Sequence, residues 1–315
     1  MNAGSLNAFE PTVGVLLTAL GGPNSLDEVA PFLLEVRGGR PTPPALVEEF
    51  RERYARIGGK SPLLEISTAQ ARALEERLNR GFGRYRCYVG MRHWKPFIRD
   101  ALADMHRARL ARLVVLPLTP YHSRRTVGLY LHAAEEACRE VGVTFPVTGV
   151  ESWNTQPSLL AAFARGTADG VARLSAAGFP DPTVLFTAHS LPRQLIESGD
   201  DYENELRETM ELVLQRLGKV RGQLVYQSAG RSDEPWLGPP LEMVLQQLAD
   251  AGEKSVLIVP FGFISDHLET LYDIDIEARQ LAAKLGLRFE RVASLNADAN
   301  LIEAMAHAVL EQLSA

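Results

Sequence analysis

Val184-Leu185-Phe186-Thr187-Ala188-His189-Ser190-Leu191-Pro192 is an apolar run that ends on an imidazole. It lacks the polar/apolar alternation of a half-exposed strand, so it reads as a strand buried on both faces, as in a parallel sheet. Val15-Leu16-Leu17-Thr18-Ala19-Leu20-Gly21-Gly22-Pro23 is built alike. A second pair, Val115-Leu116-Pro117 and Ile258-Val259-Pro260, follows in the same order, and each member is followed by an aromatic, a Ser and a His. The pairs predict two similar α/β halves with a hinge near 151–157.

Outward from these runs, short apolar segments alternate with helical patterns. Strands are expected over 13–19, 86–90, 113–116, 145–148, 183–187, 223–227, 255–259 and 288–291. Amphipathic helices are expected over 26–37, 44–57, 66–79, 96–107, 125–141, 157–177, 203–217, 239–251, 268–285 and 298–313. This alternation implies right-handed crossovers and parallel sheets flanked by helices. The expected domains are 11–152 and 153–297, with the helix over 298–315 packing back on the first.

The bulk properties exclude several classes. The 315 residues are 46% hydrophobic and 23% charged, which is globular composition. With Lys+Arg 33 against Asp+Glu 39, the net charge of −6 argues against nucleic acid as a partner. The two cysteines, Cys87 and Cys138, cannot supply the four ligands of an iron–sulfur cluster, and both read as inert core residues. Residues 1–10 lack the basic and apolar regions of a signal peptide, and no apolar run reaches the ~20 residues of a membrane helix. A cytoplasmic protein without a transmembrane segment is expected.

In open parallel sheets ligands bind beyond the carboxyl ends of the strands. His93, His122 and His189 all fall there, and His267 follows at a helix start. No Gly-x-Gly-x-x-Gly follows a strand. Gly58-Gly59-Lys60-Ser61 mimics the end of a P-loop, but Tyr54 stands where its first glycine belongs. Thr187-Ala188-His189-Ser190 is no nucleophile elbow. Glu269, Asp273 and Glu277 are spaced i, i+4, i+8 on a helix capped by Ser265 or Asp266, so they share one face. They read either as a solvated acidic face or as oxygen donors for a hydrated divalent cation. His189 reads either as a backbone-satisfied core histidine or as a proton acceptor and metal ligand facing Glu269.

Longer motifs carry a resemblance. Phe186-Thr187-Ala188-His189-Ser190-Leu191-Pro192 resembles the metal-site histidine signature of ferrochelatases, and Asp266-His267-Leu268-Glu269-Thr270-Leu271-Tyr272-Asp273 resembles their acidic signature. Gln227-Ser228 with Pro235-Trp236-Leu237-Gly238-Pro239, Arg56-Ile57-Gly58-Gly59-Lys60-Ser61-Pro62-Leu63 and Val150-Glu151-Ser152-Trp153 resemble further blocks, all collinear. The resemblance implies two Rossmann-like, chelatase-type domains with a porphyrin cleft between them. It also implies insertion of Fe²⁺, as substrate, into a porphyrin to form haem. His189 and Glu269 would be the catalytic pair at the metal, and Asp273 and Glu277 would continue an acidic path with a possible regulatory Mg²⁺. Leu20, Arg53, Ser61, His93 and Tyr130 match positions that contact porphyrin. The short segment 35–59 lacks a long apolar lip and, with the length of 228–239, is similar to the bacterial coproporphyrin III branch. Leu20 departs from that branch, which often carries Tyr there. A protoporphyrin IX enzyme and a non-catalytic haem or metal carrier are the alternatives.

Overall fold

The computed structural model describes residues 12–81, 83–108, 110–230 and 232–314. The expectation about residues 1–10 falls outside the described residues. The first sheet contains β1 (Thr12–Ala19), β2 (Arg84–Met91), β3 (Arg112–Pro117) and β4 (Val147–Gly149), in the order β2-β1-β3-β4. The second contains β5 (Thr183–His189), β6 (Gly222–Ser228), β7 (Ser255–Val259) and β8 (Arg288–Arg291), in the order β6-β5-β7-β8. All pairings are parallel. The two quoted apolar runs are therefore the two central strands, β1 and β5, and the second repeated pair forms β3 and β7. Every expected strand is present.

The repeat extends to single contacts. Thr18 and Thr187 hold the same place in the repeated stretch, and both are fully buried with unpartnered hydroxyls. The Thr18 carbonyl accepts from Leu118 N–H at 2.8 Å, and the Thr187 carbonyl accepts from Gly262 N–H at 3.0 Å. Each central strand is thus tied to the chain just after its neighbour.

The helices of the first half are α1 (Val29–Val36), α2 (Pro44–Arg56), α3 (Leu63–Leu78), α4 (Ile98–Arg107) and α5 (Val127–Val141). The second half adds α6 (Pro157–Ala176), α7 (Arg193–Glu197), α8 (Tyr202–Leu217), α9 (Leu241–Asp250) and α10 (Arg279–Lys284), and the chain ends in α11 (Ala299–Ser314). The short α7 has no counterpart among the sequence expectations. The pattern over 26–37 splits into a 3₁₀ turn, Leu26–Glu28, and α1. The pattern over 268–285 opens as a π-helix, Glu269–Ala278, before α10. The periodicity reading assumed α-helical spacing throughout and did not separate the two.

The core joins the halves. One apolar cluster takes Val15 and Leu17 of β1, Val184 and Phe186 of β5, and Leu301 and Met305 of α11. The closing helix packs on both α3 and α6, so it bridges the halves where it was expected to rejoin only the first. Tyr121, after β3, donates to the Phe261 carbonyl at 3.0 Å after β7, and their rings lie 5.7 Å apart. The segment 151–157, expected as a hinge, is a fixed crossing. Trp153 is buried, its N–H and its indole N–H donate to the Pro120 and Pro117 carbonyls, and Asn154 donates to Glu208.

Gly262 supports the end of β5. A Cβ at Gly262 would stand 2.5 Å from the Ala188 Cβ and 2.6 Å from its Cα, both too close to exist without movement. Gly262→Ala is expected to destabilise the fold by about 1–3 kcal/mol through overpacking. It also pushes the strand end that carries His189, so thermal unfolding and activity should fall together.

Candidate active site

His189 ends β5 at a bulge. Ala188 pairs with Tyr226 while His189 pairs with Ser228, so Gln227 is the extra residue on β6. A bulge bends its strand and re-aims the side chains beside it. The His189 Nδ1 lies 2.5 Å from the Ser190 carbonyl, which can only accept. This assigns a proton to Nδ1, so that in the neutral ring Nε2 is the acceptor. Nε2 faces Glu269 Oε1 at 3.9 Å. Tyr202 donates to the His189 carbonyl at 3.0 Å, and Trp236 sets its ring edge-on to the imidazole at 6.4 Å.

Glu269 is the first residue of the π-helix. Its Oε2 is buried and has no hydrogen-bond partner among the described residues. Burial pushes the Tyr54 and Tyr202 phenols well up and the Tyr130 phenol up to about 12, and the Glu269 charge adds to all three. Residues of both halves thus surround one carboxylate. Burial pushes His267 down, with its ring packed edge-on to Phe263 at 4.2 Å.

The acidic ladder divides. Asp273 accepts from Ser228 Oγ at 2.7 Å and from Arg53 at 3.4 Å. Arg53 also reaches Glu49 at 3.0 Å and stacks over Tyr272. Glu277 is exposed. Among the described residues, no three His, Cys, Asp or Glu side chains are gathered to hold a metal. The four expected ligands therefore do not form one set: His189 and Glu269 face each other, Asp273 is drawn to Arg53 and Ser228, and Glu277 points to solvent. At the expected Mg²⁺ position the Arg53 guanidinium lies 3.4 Å from Asp273. Arg53, expected on a porphyrin carboxylate, is occupied by that same contact.

The other expected contacts sit around the loop after β1. His93 N–H donates to the Leu20 carbonyl at 2.9 Å, and Leu20 is 42% exposed. Burial, with Arg92 beside it, pushes the His93 imidazole down to about 4. Ser61 N–H donates to the Pro23 carbonyl at 2.8 Å, and its Oγ accepts from Leu63 N–H. Gly22 is required there, since a Cβ would lie 2.6 Å from Ser61 Oγ. Next to His189 a cavity of about 470 Å³ is lined by Ser190, Gln227, Ser228 and Trp236, with Arg193 and Glu242 farther out. Tyr202 and Tyr54 have no local sequence signal as site residues, because each is brought in on a helix packed against the site; Arg92 lies in the stretch just after β2 where ligands are expected.

The model of the ferrochelatase family matches residues 12–313. The chain belongs to the ferrochelatase family. It is 39% identical to the ferrochelatase of Geotalea uraniireducens over 317 aligned residues, covering 95% of this chain and 98% of that one. With the Thermus thermophilus ferrochelatase it shares 38%, covering 93% and 97%. Among solved structures, SirB from Bacillus subtilis with Fe³⁺ superposes with a TM-score of 0.59 at 12% identity, covering 96% of this chain and 95% of that one. DR2241 from Deinococcus radiodurans, whose structure is described as similar to chelatases, gives 0.55 at 13% identity and covers 96% of this chain and 55% of that one. Both show the fold. The protein is a metal-inserting enzyme that places iron in a porphyrin for haem synthesis. None of its described helices is long and apolar enough to cross a membrane.

Asp273 supplies a pH test. Burial, with Glu269 and Glu277 nearby, pushes its carboxyl up to about 6 against the pull of Ser228 and Arg53. Between about pH 4, where an unfolded Asp ionises, and pH 6, the folded chain holds the extra proton, so stability from this group falls as pH rises. The loss is on the order of 3 kcal/mol and is complete above pH 6. Asp273→Asn is expected to gain about 2 kcal/mol on wild type between pH 4.5 and 7, since part of the loss has already occurred at pH 4.5, read from urea unfolding at both pH values.

Proposed function

We propose that His189 and Glu269 are the groups at the iron, and that coproporphyrin III is the preferred macrocycle. The observation that carries the first point is Glu269 Oε2, a buried carboxylate oxygen without a partner, beside an imidazole whose free Nε2 lies 3.9 Å from Oε1. A buried charged group left unpaired is costly, so such a pair suits a site completed by its substrate. Two pyrrole N–H protons must leave as Fe²⁺ enters. The neutral Nε2 of His189 accepts one, Glu269 accepts the other, and the iron–porphyrin leaves with no net change of oxidation state. Asp273 and Glu277 continue from Glu269 toward solvent along the π-helix as the exit for protons. Bending of the macrocycle in the cleft exposes its nitrogen lone pairs, a strain supplied by binding energy elsewhere on the ring.

Coproporphyrin is favoured by the rim. The connection from α1 to α2 is short and carries Arg37 and Arg40, and no long apolar lip is present there. A tetracarboxylate needs cations and hydroxyls. Arg92, whose charge acts on both His93 and Tyr130, supplies one where Arg53 is engaged, with Ser61 and Tyr130 as hydroxyl contacts. A protoporphyrin reading draws on Leu20, an exposed apolar residue at the end of β1.

Anaerobic mixing with Fe²⁺ and each porphyrin tests both points through the Soret and Q-band shifts. Coproporphyrin III is expected to give the higher kcat/KM, and a clear preference for protoporphyrin IX reverses the assignment. His189→Ala should keep porphyrin binding yet lose most chelation, roughly 100-fold or more, in line with removal of a general base. Full turnover in that variant would refute its role.

A further inference from the structure

Glu269 is poorly held by its own side chain. One oxygen is unpartnered and the other is 3.9 Å from His189, so its position is set by its backbone. That backbone is a π-helix, whose i→i+5 bonding is rare and gathers at functional sites. Its end shows the pattern, with Arg279 N–H donating to the Ile274 carbonyl.

Arg291, the last residue of β8, grips this segment on both sides of Glu269. Its Nε and Nη2 donate to Asp275 Oδ1 and Oδ2 at 2.8 and 2.7 Å, a two-pronged pair. Its Nη1 donates to Asp266 Oδ1 at 3.3 Å. Asp266 is in turn fixed by Ser294 Oγ at 2.7 Å and Asn296 Nδ2 at 2.9 Å, and its own N–H donates to the Asn296 side chain at 2.9 Å. The guanidinium is only 11% exposed, so little solvent competes for it. Asp266 lies just before the π-helix and Asp275 lies within it. One rigid strand therefore anchors both flanks of the segment that carries Glu269.

We infer that Arg291 is a positioning residue for metal insertion, acting through the π-helix to hold Glu269 against His189. The fork geometry is what matters: a planar guanidinium spans two carboxylates, and a lysine ammonium cannot reproduce both bonds. Arg291 is remote from the macrocycle in this role, so it governs turnover and leaves porphyrin affinity alone. The inference rests on the reading of Glu269 as one of the groups at the iron.

Arg291→Lys keeps the charge and loses the fork. Its kcat for Fe²⁺ insertion is expected to fall about 10–100-fold, the range for residues that orient metal-site groups. The porphyrin Kd, read by fluorescence quenching, should stay within about twofold. In a Glu269→Gln background the same change should cost less than about twofold, because the group it positions is already gone. Wild-type turnover in Arg291→Lys beside a crippled Glu269→Gln overturns the brace alone, as do losses that multiply in the double variant. Wild-type turnover in Glu269→Gln overturns the site reading and the brace with it. Asp275→Asn, which removes the other half of the fork, provides the same comparison if Arg291→Lys fails to fold, and it should show the same split between kcat and Kd.

Discussion

The structure turns on a carboxylate that is half-buried, with one oxygen fully covered and unpaired among the described residues. Leaving a buried polar atom unsatisfied costs ~1–3 kcal/mol. The fold sustains Glu269 in that condition only because the residues around it are tied elsewhere. His189 is held by the Ser190 carbonyl and Tyr202, Asp273 by Ser228 and Arg53, and the π-helix by Arg291. Each restraint takes a group that could have turned to Glu269 and commits it to a different partner. What remains open to Glu269 is His189 and whatever enters between them.

The two sheets share one strand order, yet chemistry accumulates on one. β1 and β5 occupy equivalent central places, and Thr18 and Thr187 are buried in the same way. After β5 comes His189; at the matching position after β1 comes Leu20, half exposed and apolar. The first half instead presents Ser61, His93 and Tyr130 around the β1 loop. Two halves of one strand order thus present different side chains beyond their central strands. The shared core through Tyr121, Phe261 and α11 keeps these halves in a fixed relation.

Much of this was legible in residue order. The inner strands were most so, because β1, β3, β5 and β7 are apolar runs buried along most of their length. Their order within each sheet came only from the structure. His189 and Glu269 were legible from position and from motif. The π-helix was not, and neither was its contact with Arg291, a residue brought in from β8. The partner of Arg53 was also hidden: 220 residues separate it from Asp273. A cationic side chain in a family motif reads as a ligand contact until the carboxylate across the cleft is seen.

The sequence by itself determined the class of fold, the chemistry of the donors and their place after strand ends, because periodicity and residue type are local properties. Only the tertiary structure decided which donors meet. It set the His189 tautomer through a backbone carbonyl, divided the acidic ladder by placing Arg53 beside Asp273, and left Glu269 unpaired. These outcomes depend on distances between remote segments, and no local pattern encodes a distance.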